Sequence, residues 1–145
     1  MAKSIKVIFK DNSFIVLNES VYSLSKLLKC FIDDDSGDEQ ELDTEQLIPI
    51  NDDTGSYYFD ESIVKRFLNY LIELNNNPDK FKIELFFDDI QNEYSEFLLL
   101  VTHLNVPKFI SIFKNNDMMI FNRIMKLPEN ELRIYELKRK RIMGL

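Results

Sequence analysis

The stretch Glu93 to Phe113, EYSEFLLLVTHLNVPKFISIF, encodes two helices back to back with only a corner between them, and no other segment restricts the fold as much. Tyr94, Phe97, Leu98, Val101 and Leu104 recur at helical spacing, while Leu99 and Leu100 make the same helix apolar around most of its girth. A helix of that kind needs neighbours on nearly every side, so it is expected at the centre of its domain. Asn105 offers a side-chain oxygen as N-cap for the next helix, and Pro107 sits in the first turn, where a missing N–H costs nothing. The second helix is expected from about Val106, with Val106, Phe109, Ile110 and Phe113 facing inward and Lys108, Ser111 and Lys114 facing water.

A chain of 145 residues fits one ordinary domain with one core. Hydrophobic content of 45% beside 30% charged residues describes a globular protein, and no apolar run approaches the roughly 20 residues that span a bilayer. The opening MAKSIKVIF is too short in its apolar part, and too soon followed by Lys10 and Asp11, for a secretory signal. Cys30 is the only cysteine, which agrees with a reducing compartment, so an intracellular location, cytoplasmic or nuclear, is expected. The net charge of -7 argues against a nucleic-acid binder, because phosphate contacts need clustered Lys and Arg. Between Cys30 and Val64 there is no Lys or Arg at all, and the acidic run from Asp33 to Asp53 reads as a solvated loop. The basic run Lys138, Arg139, Lys140, Arg141 reads either as the last turn of a helix, matched to its macrodipole, or as a binding patch.

Ile5 to Phe9 and Phe14 to Leu17, joined by Asp11, Asn12 and Ser13, read as a β-hairpin. Val21, Leu24, Leu27, Leu28 and Phe31 form one amphipathic helical stripe capped by Asn18 or Ser20. Leu47 to Ile50, LIPI, reads as an edge strand joining the hairpin's sheet. Asp60 caps a strong helix with Ile63, Phe67, Tyr70 and Leu74 in one row and Val64, Leu68 and Leu71 in the next, ended by Asn75, Asn76, Asn77 and Pro78. Phe81 to Phe87 is open between a short strand and a loop that tucks aromatics under the core. Met118 to Met125 is a further helix, and Pro128 opens a last one with Glu129 and Glu131 in its first turn.

Nothing in these residues assembles chemistry. His103 is the only histidine and has no Cys or second His at ligand spacing, so it reads as a partly buried histidine or a surface contact. Asp33, Asp35 and Gly37 miss the register of a calcium loop, and neither a glycine-rich phosphate loop nor a nucleophile elbow is present. No catalytic residue, cofactor site or metal site is expected, and the chain reads as a binding module and not an enzyme.

The order of these elements (hairpin, helix, acidic loop, short strand with proline, helix, helical pair, extra C-terminal helices) resembles the BTB/POZ fold. Within it the chain looks most like the Skp family, the S-phase-kinase-associated adaptors of cullin/F-box ubiquitin ligases, with elongin C a near relative. Ile5, Lys6 and Val7 resemble the family's opening strand, and Phe14 to Leu17 its second. The acidic insert before Ile48, Pro49 and Ile50 resembles the loop before its third strand. Phe97 to Ile110 is similar to its central pair, with Leu104, Asn105 and Val106 at the corner. Pro128, Glu129, Asn130, Glu131, Leu132, Arg133 looks like the family's Pro-Glu-Glu-Ile-Arg helix start with one residue inserted. Where the family usually has Asn-Tyr before the corner this chain has Thr102 and His103, and its end is basic where the family's is aromatic and acidic.

The resemblance implies an α/β (α+β) fold, a small three-stranded sheet flanked by a helical cluster, with a BTB/POZ-like domain over residues 1–115 and a helical extension over 116–145. It implies a non-catalytic adaptor that links F-box substrate receptors to a cullin ubiquitin ligase. The cullin-like face would hold Thr102, His103 and Asn105. The F-box-like groove would hold Phe109, Phe113, Ile120, Phe121, Ile124, Leu132 and Tyr135, a helix-in-groove contact. The rival reading is a self-associating or scaffold BTB protein, a component of a large assembly or virus particle, without a ligase role. Dimeric BTB proteins commonly exchange an extra N-terminal helix and strand, and with the first strand beginning at Ile5 a monomer or heteromeric partner is expected.

Overall fold

Ile5 and Val7 alternate with Ser4, Lys6 and Ile8, and strand β1 (Ser4–Ile8) keeps that alternation, with Ile5 and Val7 fully buried. In this computed structural model the described residues are 3–32, 38–47, 61–91, 93–124 and 128–130, followed by Leu132, Arg133, Glu136, Leu137 and Lys140; for Glu45, Ser95 and residues 121–124 only the backbone is described. The chain forms two compact units, Met1–Pro78 and Asp79–Leu145.

In the first unit β1 pairs antiparallel with β2 (Phe14–Asn18), setting Ile5 opposite Leu17 and Val7 opposite Ile15. The hairpin closes through Phe9 and Ser13. Asn12 takes a positive φ of 67°, a conformation its short polar side chain tolerates. Hydrogen bonds from Ser13 and from the Lys65 ammonium at 3.0 Å hold the Asp11 carboxyl well below the usual carboxylate range.

The sequence leads one to expect a single helix over Val21 to Phe31, but the structure has two, α1 (Glu19–Tyr22) and α2 (Lys26–Cys30). Asn18 caps the first as expected, accepting from the Val21 N–H at 3.1 Å. Ser25, wholly buried, restarts the chain by accepting from the Leu28 N–H at 3.1 Å. The third strand also departs from expectation. It is β3 (Glu39–Asp43), inside the acidic run, whereas Leu47 ends the short helix α3 (Thr44–Leu47), and Ile48 to Ile50 lie outside the described residues. β3 runs parallel to β1 with Leu42 beside Val7, so the sheet order is β2-β1-β3. Helix α4 (Glu61–Asn76) buries Ile63, Val64, Phe67, Leu68, Leu71 and Leu74, the two rows read from its periodicity except Tyr70, which is half-buried. Asp60, its expected cap, lies outside the described residues. Glu61 ties the unit together, its carboxylate accepting from the Lys10 N–H at 3.1 Å and 3.2 Å and from the Thr44 hydroxyl at 2.7 Å.

The second unit opens with α5 (Ile83–Asp89), a helix where a strand or loop was expected. Its adjacent Phe86 and Phe87 are both buried, which hides the helical period in so short a segment. Phe86 lies within 5.2–6.2 Å, centroid to centroid, of Phe81, Phe87, Phe97, Phe109 and Phe113. Helices α6 (Tyr94–Leu104) and α7 (Pro107–Asn115) are the expected pair. Phe97, Val101 and Leu104 are fully buried, and the Tyr94 hydroxyl donates to the Phe87 carbonyl at 3.0 Å. Helix α8 (Asp117–Ile124) follows, and the described residues from Glu129 to Lys140 are helical. The whole is an α+β arrangement, a small mixed sheet with several helices.

Candidate protein-interaction site

Three regions hold the residues expected to contact partners or the exposed apolar side chains: the α6–α7 corner, the C-terminal helices and the outer face of the sheet. At the corner, Asn105 is not an N-cap. It ends α6 in the left-handed conformation, φ 52° and ψ 72°, while Val106 precedes α7 with no side-chain cap. The Asn105 N–H donates to the Thr102 carbonyl and the Val106 N–H to the Val101 carbonyl, each at 3.2 Å, the pair of bonds that closes a Schellman motif. Val101 and Val106 are both fully buried, the apolar pairing that accompanies such a turn.

This conformation predicts a clear substitution pattern. Asn105→Gly is expected to leave stability unchanged or slightly raised, whereas Asn105→Val is expected to lose about 1–2 kcal/mol. Urea midpoints of the two variants check it; equal midpoints would show that the corner does not depend on a left-handed residue.

The corner presents Thr102 and Asn105 to solvent and leaves His103 half-buried, so these three expected contact residues lie together on one turn. The Thr102 hydroxyl donates to the Leu98 carbonyl at 2.7 Å, within its own helix. The other expected set divides. Phe109 and Ile120 are fully buried and Phe113 is 3% exposed, so all three sit in the core of the second unit. Leu132 is half-buried, Tyr135 lies outside the described residues, and of Phe121 and Ile124 only the backbone is described. Among the described residues of this region, Met118 and Leu137 are the exposed large apolar ones, at 70% and 64% exposure. Lys108, Ser111 and Lys114 face water as α7's periodicity requires.

The outer face of the sheet was not read from the sequence. Phe14 and Val16 are 54% and 44% exposed there. Four successive apolar residues, Phe14 to Leu17, hide which pair points outward, and only the register of Phe14 against Ile8 reveals the side. Among the described residues no group of three His, Cys, Asp or Glu is placed to hold a metal, and no helix is long and apolar enough to cross a membrane. Comparison of the chain with protein families, with curated proteins and with solved structures gives no match.

Proposed function

We propose that this chain is a non-catalytic protein-interaction adaptor of the BTB/POZ type, similar to the Skp subunit that joins an F-box-like receptor to a cullin ubiquitin ligase. The observation that carries the reading is the order of elements. A hairpin, two short helices, a third strand followed by a short helix, one long helix, the short helix α5, a tight helical pair and a further helix follow one another; this keeps the broad order behind the resemblance, with α3 and α5 added and the third strand at Glu39–Asp43. The corner turn, with Thr102, His103 and Asn105, is the proposed contact for a cullin-like partner. The receptor contact falls on the helical end, through Leu132, Met118 and Leu137, because burial commits Phe109, Phe113 and Ile120 to the core.

Deleting Pro128 to Leu145 tests the receptor contact. In co-expression with an F-box domain the full chain is expected to elute as a complex and the truncated chain alone, with its cooperative melt retained. If truncation unfolds the protein, the double variant M118D/L137D, at two exposed positions, replaces it. Retained F-box binding by either folded variant removes the helical end from the reading.

A further inference from the structure

We propose that the solvent face of the sheet is a second docking site, and that its occupant is a basic amphipathic helix from a partner protein. The residues of this face are other than those of the corner and the helical end, and the docking does not depend on a ubiquitin-ligase role.

The face has two halves of different chemistry. On β2 and the end of β1, Phe14 and Val16 are exposed and Ile8 half-buried, a contiguous apolar strip because Ile8 is the register partner of Phe14. On β3, the alternation of the strand turns Glu39, Glu41 and Asp43 outward, all exposed. Lys6 stands between the halves, with its ammonium 4.2 Å from the centre of the Phe14 ring and 4.0 Å from a Glu41 carboxylate oxygen. Three carboxylates against one ammonium leave the face acidic. The two edges also differ. Charged side chains protect β3 against pairing, while β2 presents Phe14, Ile15, Val16 and Leu17 without a charge or a proline.

Geometry selects a helix over an added strand. Strands lie about 4.8 Å apart, which puts the Phe14 and Val16 row roughly 10 Å from the β3 carboxylates. A helix with its side chains is about 10–12 Å across, so one helix along the strands covers both halves at once. The five-residue strands span about 13 Å, the length of roughly nine helical residues. Its apolar stripe would lie on Ile8, Phe14 and Val16 and its Lys or Arg flank on the carboxylates. A strand added beyond β2 would instead lie about 14 Å from those carboxylates, out of reach of a lysine. At the hairpin end the face meets an open cleft of about 210 Å³, lined by Ile8, Phe9, Lys10, Asn12, Asp43 and Thr44, which can take an uncharged anchoring side chain at the helix end, since Lys10 sets that end apart from the acidic β3 row. Charge complementarity of this kind fixes orientation and speeds encounter more than it adds affinity, so the contact is expected to weaken with salt.

The test is selection of random 16-residue peptides displayed on phage against the full chain, with F14S/V16T and E39K/E41K as paired variants. Each substitution is at an exposed position, and the variants are expected to melt like the parent by circular dichroism, which checks their folding. The expected result is enrichment of sequences with apolar residues at helical spacing and Lys or Arg along one flank. Their binding should fall at least tenfold on either variant and at least fivefold between 50 and 500 mM salt. Three results overturn the proposal: no enrichment above the variants, enriched peptides indifferent to both variants or lacking basic residues, or sedimentation showing self-association abolished by F14S/V16T, which would give the face to a second copy.

Discussion

Replacing Phe86 by Ala is expected to cost about 3–5 kcal/mol, the largest single effect in the second unit. Phe86 is 2% exposed and its ring meets five others, drawn from the loop before α5, from α5 itself, from α6 and from α7. Truncation would leave a cavity bounded by stiff aromatic rings that cannot collapse around it, so the cavity contribution adds to the lost transfer energy. The T-shaped contacts with Phe97 and Phe113 and the stacked one with Phe109 add about 0.5–1.5 kcal/mol per pair beyond area alone. Thermal melting should fall by roughly 10 °C or more. Phe86→Leu, which keeps much of the volume, should lose far less, about 1–2 kcal/mol. A loss below about 1 kcal/mol in the Ala variant would mean that Phe86 does not anchor this core.

Replacing Glu61 by Ala is expected to cost about 1.5–3 kcal/mol, the largest polar effect in the first unit. Its carboxylate holds three things together: the hairpin's end through the Lys10 N–H, the β3–α3 junction through the Thr44 hydroxyl, and the first turn of α4, where negative charge is also favoured by the macrodipole. Thr44 is 2% exposed, so removing its acceptor strands a buried hydroxyl. Glu61→Gln keeps one acceptor oxygen and should lose about half as much as Ala. In a double-mutant cycle with Thr44→Val the coupling is expected to exceed about 0.5 kcal/mol, read from urea midpoints. Additive losses would show that the Thr44 contact carries no stability of its own.

The elements legible from sequence were those whose period survives burial on one face. β1, α4 and α7 show alternation or helical stripes, and their buried residues are the ones those stripes select. β3 was missed because Leu42 is the one buried apolar side chain among Glu39, Gln40, Glu41, Leu42 and Asp43, so pairing with β1 and not local propensity makes it a strand. The helix expected over Val21 to Phe31 was divided because Ser25, a residue equally able to cap or to sit in a helix, took the cap. Asn105 was assigned to the wrong helix for a related reason. Asn serves both N-caps and left-handed C-terminal turns, and what separates them is the sign of φ, which spacing does not encode. The position of the corner was legible because a Pro follows a long apolar helix. The sheet's outer face was not, since an all-apolar strand carries no record of its two sides.

The adaptor reading is tested most directly by purifying the tagged chain gently from its native cells, at low and moderate salt, and identifying what accompanies it by mass spectrometry. The account predicts F-box and cullin proteins in near-stoichiometric amounts, with Thr102 and His103 variants losing the cullin alone. Recovery of the chain only with further copies of itself, or with structural components of a particle, would contradict it and make the chain a scaffold.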